Sequence, residues 1–286
     1  MTDQKWTTVV HATGKKTHID WRGLAKCKDL IVLWVRRNFV AQYKQTVLGP
    51  AWAIIQPFFT TVVYSVFFGD IAGLGAEGVP NFIFYLSGTI IWTLFSHCLT
   101  QTSSSFIGNA GIMGKVYFPR LVMPIATAIS QFISFFIQFA FMLVFFAYYL
   151  LTNAGLVPNW YIAMTPLLLI QTALLGMGFG MIISALTTKY RDLNMVVGFG
   201  MSLWSYCSPV AYDMFSRASL APGGKFYAIY MLNPMTPIIN LFRYAYLGIG
   251  GVDWLYYGIS WVVTLLVAWI GMLMFSKVEK TFMDTI

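Results

Sequence analysis

Charge is what this sequence has least of. Only 10% of its 286 residues are Asp, Glu, Lys or Arg, whereas soluble proteins carry roughly 25%. A chain so poor in charge cannot cover a soluble globule with polar surface, and the solvent that suits it is a bilayer. Acidic residues are missing altogether from its long apolar runs, where His97 is the one side chain that titrates near neutrality. Proton- and sodium-coupled carriers place carboxylates, histidines or basic side chains at membrane depth. Coupling to an ion gradient therefore has no evident basis, and His97, near the end of a run, reads as an interfacial residue. Cys27, Cys98 and Cys207 form no CxxC pair, and His11, His18 and His97 are the only histidines. That argues against a zinc site or a disulfide framework.

Nucleotide and hydrolytic chemistry are equally absent. Gly114-Lys115 lacks the phosphate-loop spacing, because Asn109 stands where the first Gly belongs and Val116 where the Ser or Thr belongs. Gly14-Lys15 fails for the same reason, with Val9 at the first position. No GxSxG or HExxH occurs, and no catalytic, cofactor-binding or metal-binding residue is assigned. The first 29 residues are polar and basic without an apolar core. A cleavable signal peptide is therefore not expected, and the membrane helices themselves are expected to drive insertion.

What is present is apolar sequence: 58% hydrophobic residues, 17% aromatic and a mean hydropathy of +0.69. The runs free of charge predict an all-α membrane protein of six transmembrane helices, at 48–68, 81–99, 121–151, 161–187, 193–212 and 254–276. Residues 1–47 form a cytoplasmic N-terminal segment and 277–286 a cytoplasmic tail. The net charge of +8 is lopsided, with nine of the eighteen Lys and Arg before Gln45. Fifteen fall in the N-terminal segment, the second and fourth loops and the tail; the other three are Arg217, Lys225 and Arg243. By the positive-inside rule both termini are cytoplasmic, and this basic charge marks orientation rather than nucleic-acid binding.

Two segments are more than loops. Residues 21–44 read as an amphipathic helix on the cytoplasmic interface, with Trp34 and the run Leu30–Val35 flanked by Lys26, Lys28, Arg36, Arg37 and Lys44. An ordinary positive cytoplasmic arm is the alternative. The outer segment 213–253 is too long for a turn. It predicts two short re-entrant or gate helices, 226–232 and 237–247, broken at Asn233-Pro234. Among the aromatics, Trp52, Phe59, Tyr64, Trp204, Tyr206 and Tyr212 are candidates for lining a conduit; gathering at the membrane interface is the competing account. The glycines of Gly176-Met-Gly-Phe-Gly180 suit close helix packing, or alternatively a backbone-lined conduit.

Several stretches carry a family resemblance. Residues 36–57 hold Arg36-Arg37, Tyr43-Lys44, Leu48-Gly49-x-x-Trp52 and Pro57. Residues 109–120 hold Asn109, Gly114-Lys115 and Phe118-Pro119-Arg120, followed by Pro124. Lys189-Tyr-Arg191-Asp192, Ser208-Pro209-Val-Ala-Tyr212 and Asn233-Pro234…Arg243 complete an ordered set. Together they resemble the membrane subunits of ABC-2-type exporters that move bacterial surface polysaccharides such as O-antigen, capsule or teichoic acid. The resemblance implies a homodimer in the bacterial inner membrane, paired with two copies of a separate nucleotide-binding ATPase that holds ATP and magnesium. It implies a lipid-linked polysaccharide as cargo. Asn109, Lys115, Phe118, Pro119 and Arg120 would form the loop that docks on the ATPase. Pro209, Asn233, Pro234 and Arg243 would form an outer gate. Arg36, Arg37, Tyr43 and Lys44 are placed to meet a pyrophosphate headgroup, with simple lipid anchoring as the alternative. A drug or lipid exporter of the same architecture, or a membrane-embedded glycosyl or acyl transferase, are the other readings.

Overall fold

A computed structural model of the chain describes residues 23–24, 27–44, 46–105, 108, 111, 119, 121–152, 154–188, 190 and 192–282. Among these there is no strand. Nine α-helices follow one another: α1 Lys28–Tyr43, α2 Trp52–Tyr64, α3 Asn81–Ser103, α4 Val122–Leu151, α5 Thr165–Thr187, α6 Leu193–Tyr206, α7 Tyr227–Met231, α8 Met235–Leu247 and α9 Trp254–Phe282. A 3-10 turn at Gly49–Ala51 leads into α2, and a π-helical stretch, Ser65–Ile71, prolongs it. Five helical stretches are long and apolar enough to cross a membrane: Gly49–Ile71, Asn81–Ser103, Val122–Leu151, Trp160–Thr187 and Trp254–Val278.

The expected span at 193–212 is not among these five. Its helix, α6, has 14 residues, about 21 Å at 1.5 Å per residue and short of the ~30 Å hydrocarbon core. It stops because Ser208-Pro209 follows: Pro209 has no N–H to donate, and it disfavours helical geometry at the residue before it. From Cys207 the chain continues as a turn. Two short helices do form within 213–253, as α7 and α8, with their break at Leu232-Asn233-Pro234. At the N-terminal side, α1 runs Lys28–Tyr43 within the expected 21–44 and Gly23-Leu24 is also helical; residues 21, 22, 25, 26 and 45 lie outside the described set.

The bundle is built around α3. Nine consecutive residues, 83–91, are buried on every face of this helix, as expected of a helix that is apolar all round. Its largest interfaces are with α5, α4 and α2, while α9 packs on the far side of α5. Glycines set the closest approaches. A Cβ on Gly176 would stand 2.7 Å from the Phe95 carbonyl oxygen, and one on Gly180 would stand 2.7 Å from that of Leu99. On the other face of α5, a Cβ on Gly178 would meet Ala268 Cα at 2.9 Å. Of the two accounts of this triplet, close packing is the one observed. In lipid, van der Waals contact between backbones replaces the hydrophobic effect as the cause of helix association.

At one end, α1 lies against the start of α4. Trp34, its one fully buried side chain, packs with Leu121, Val122, Met123, Met181 and Phe275. At the other end the connections at 72–80, 152–159 and 207–253 meet. Asp213 N–H donates to Leu74 O at 3.0 Å, and Val157 N–H and Asn159 N–H donate to Leu247 O and Ala245 O. These bonds occupy carbonyls in the last turn of α8, which a helix end otherwise leaves unpaired. Gly248 follows in the left-handed region at φ 74°, where glycine is favoured.

Candidate functional site

Two of the cavities among the described residues flank a latch of polar side chains. The first, of about 380 Å³, is enclosed by the C-terminal end of α1 with α2, α3 and α4. Tyr43 enters it from α1, its hydroxyl 3.0 Å from Ser134 Oγ. Trp52, Gln56 and Tyr64 come from α2, Thr89, Trp92 and His97 from α3, and Gln138 from α4. The wall thus mixes aromatic faces with amides and hydroxyls and contains no Asp, Glu, Lys or Arg among its described residues. Pro57 also lines it; sitting inside α2 without an N–H, it removes one bond of the helical ladder.

The second cavity, of about 540 Å³, opens between the end of α6 and α7. Trp204, Tyr206, Tyr212, Tyr230, Asn233 and Pro234 are in its wall. The Tyr212 and Tyr230 hydroxyls share a hydrogen bond. Nearby, Tyr227 donates to Asp253 at 3.0 Å; burial, reinforced by that bond, pushes its phenol up to about 12.

Between the cavities runs the turn at 207–212, a stretch of non-helical backbone held by two side chains. Arg243, 3% exposed, donates from Nη1 to Pro209 O at 2.5 Å and from Nη2 to Val210 O at 2.9 Å. Its guanidinium carbon sits 3.8 Å from the Phe84 ring centroid, a cation–π contact. Asn233 Nδ2 donates to Cys207 O and to Ser208 Oγ, each at 2.9 Å. Asn233 Oδ1 accepts from Trp204 Nε1 at 3.0 Å and from Met235 N–H at the start of α8 at 3.2 Å. Carbonyls that leave a helical ladder need other donors, and Arg243 and Asn233 supply them here. Val210 also reaches the wall of the first cavity. The latched turn is therefore the part of the structure nearest to both spaces.

The expected residues divide accordingly. Pro209, Asn233, Pro234 and Arg243 come together at the latch. Trp52 and Tyr64 share the first cavity, and Trp204, Tyr206 and Tyr212 the second. Phe59 does not join them; it is 62% exposed and borders neither cavity. Arg36, Arg37 and Lys44 are exposed on and just beyond α1, with the Arg37 guanidinium 4.3 Å from the Trp34 ring centroid. Tyr43 leaves that basic group and turns into the first cavity. Of the expected docking loop, Pro119 is half-buried and its carbonyl accepts from Val122 N–H at 3.0 Å; Asn109, Lys115, Phe118 and Arg120 lie outside the described residues. His97 lines the first cavity, and α3 continues past it to Ser103.

A search for titratable and aromatic groups passes over the amides and hydroxyls of that wall, Gln56, Thr89 and Gln138 among them. Their only signal in the sequence is a polar side chain inside a charge-free run. No group of three or more potential metal ligands occurs among the described residues.

Comparison with known proteins agrees with this architecture. The chain is 27% identical over 261 residues to an O-antigen export system permease protein RfbA of Klebsiella pneumoniae, covering 90% of this chain and 94% of the relative. A second Klebsiella pneumoniae protein of that name is 26% identical over the same shares. A Myxococcus xanthus RfbA is 24% identical over 78% of this chain and 82% of its own. The profile described as ABC-2 type transporter matches residues 29–247, a stretch that contains α1 through α8 and both cavities. This chain belongs to the ABC-2 type transporter family.

Proposed function

We propose that the chain is the membrane permease subunit of an exporter that carries a lipid-linked surface polysaccharide across the bacterial cytoplasmic membrane. The observation that carries this reading is the first cavity: a space inside an apolar bundle whose wall is uncharged, hydrogen-bonding and rich in flat aromatic faces. Sugar chains present hydroxyls to such amides and C–H faces to such rings. The RfbA relatives, matched along nearly their whole length, support it.

Two copies of this chain would form the conduit. Only 11% of the apolar window of Gly49–Ile71 is buried within the chain, against 72% for α3. That leaves the first span free to face lipid or a second copy. The segment 193–212 would complete a sixth crossing as a helix followed by the latched turn, returning the C-terminus to the cytoplasmic side. Two copies of a separate ATPase, holding ATP and magnesium, would dock on the loop containing Asn109, Lys115, Phe118, Pro119 and Arg120. A permease without a power source of its own needs such a partner.

Deleting the chain from its host is expected to abolish surface polysaccharide and to leave lipid-linked polymer inside the cell. Intact surface polymer in the deletion strain would overturn the proposal. So would uphill transport by the purified chain in vesicles containing no ATPase. The exposed cations of α1 are proposed to meet the lipid pyrophosphate. At about 1 kcal/mol per basic residue near an anionic surface, Arg36→Ala and Lys44→Ala should each weaken substrate stimulation of the ATPase about fivefold. Unchanged half-maximal substrate concentrations in both variants would remove them from that role.

A further inference from the structure

Two buried threonines of the long helices give their protons to their own backbone. Thr172 and Thr264 donate to Leu168 O and Ser260 O, four residues back, each at 2.8 Å, a common arrangement for a hydroxyl inside a helix. Ser260, buried on α9, does otherwise. Its hydroxyl donates to Pro234 O, in the break between α7 and α8, at 2.8 Å. It accepts from Gln171 Nε2 of α5 at 2.9 Å. The proton donors thus run in one direction, from the Gln171 amide through the Ser260 hydroxyl to the Pro234 carbonyl. A polar relay across two long helices ends on the backbone of a short one.

The place where it ends matters. Pro234 adjoins Asn233, whose amide holds Cys207 O and Ser208 Oγ of the turn. The break is therefore gripped from two sides: Asn233 reaches the turn, while α9, and through it α5, reaches Pro234. Farther along the same two helices the backbones touch, since a Cβ on Gly178 would lie 2.9 Å from Ala268 Cα. Helices packed that closely do not slide independently, so α5 and α9 act as one body. Thr165 of α5 also meets the Tyr246 hydroxyl at the other end of α8, at 2.9 Å. The α5–α9 body thus has an attachment at each end of α8, and the relay is the one beside Asn233.

We propose that Ser260 and Gln171 are positioning residues of the latch: they hold the Asn233-Pro234 break, and with it the turn at 207–212, in the closed arrangement. Displacement of the α5–α9 body draws the break away from the turn and opens the way between the two cavities. This rests on the export reading, in which the turn stands between the space inside the bundle and the outer cavity. It adds which helices drive the turn and which side chains carry the motion.

The test uses the full chain assembled with its ATPase in vesicles loaded with radiolabelled sucrose, without nucleotide. One interhelical hydrogen bond shifts a two-state balance about three- to tenfold, so Ser260→Ala and Gln171→Leu should each release sucrose faster than the parent by about that factor. Gln171→Leu keeps the Ser260 hydroxyl but frees it to turn to its own helix. Thr264→Val removes a buried hydroxyl bonded within α9 and should leak no faster than the parent. Parental leak rates in Ser260→Ala and Gln171→Leu, or a leak as large in Thr264→Val, overturn the relay. The unmodified complex supplies a second measurement. Trapping its ATPase with ATP and vanadate should change amide hydrogen exchange at 207–212 and at 232–236 together. No change at 232–236 overturns the relay even where neither variant assembles. If deletion of the chain abolishes surface polysaccharide while these measurements fail, the relay is rejected and export stands. If the deletion strain keeps its polysaccharide, the export reading fails whatever the vesicles give.

Discussion

Arg243→Ala is expected to destabilise the chain by about 3–5 kcal/mol, through the carbonyls it leaves unpaired and the space it empties. Arg243 is buried, and its guanidinium is the donor for Pro209 O and Val210 O, with a longer contact of 3.4 Å to Tyr212 O. No other described side chain donates to the Pro209 or Val210 carbonyl. The loss should appear as a fall of about 10 °C in the apparent melting temperature of the detergent-solubilised protein. Arg243→Lys should rescue little, because an ammonium on a flexible stem cannot reproduce a planar fork aimed at several carbonyls. Gly88→Ala should mimic the defect in milder form, since its Cβ would stand 2.5 Å from Arg243 Nη2 and 3.3 Å from Val210 O. An Arg243→Ala protein that melts within about 2 °C of the parent would show that the turn is held by something else.

Gly178→Val is expected to be strongly destabilising. A Cβ there would lie 2.9 Å from both Cα and N of Ala268, and the Gly178 carbonyl oxygen is itself 2.5 Å from where a Cβ of Gly271 would sit. Backbone cannot swing aside as a long side chain can, so α5 and α9 must separate. Overpacking of a tight site typically costs about 1–3 kcal/mol, and a rigid neighbour places this one at or above the upper end. Gly258→Ala is the control. Nothing lies within 4 Å of its added methyl, and alanine improves helix propensity by up to about 1 kcal/mol. The two proteins should therefore move in opposite directions in yield and in melting temperature. Equal behaviour would mean that the α5–α9 contact is looser than drawn.

The helices themselves were legible because a charge-free run in a bilayer has few other choices: its backbone must be bonded within the segment. The stop at Tyr206 could be expected from Pro209, and the break between α7 and α8 from Asn233-Pro234, because proline acts locally. Apolarity alone carries the run 193–212 past that proline, whereas the helix within it ends at Tyr206. The first cavity was only half visible. Trp52 and Tyr64 attract attention as aromatics, but Gln138 is one of two amides in a 30-residue apolar helix, and nothing local tells whether it faces lipid, a neighbour or a cavity. That His97 lines the same cavity was not visible either, since it depends on which face of α3 meets α2 and α4.

Apolar length and the distribution of charge were enough to determine that this chain is helical and membrane-bound, because the cost of unpaired backbone and buried charge in hydrocarbon acts on every segment independently. Which polar groups meet was decided only by the tertiary structure. Arg243 lies 34 residues from Pro209 and Ser134 lies 91 from Tyr43. Partners so distant along the chain are chosen by the packing of helices, and the close approach of α3, α5 and α9 through glycine is what brings the bundle to that arrangement.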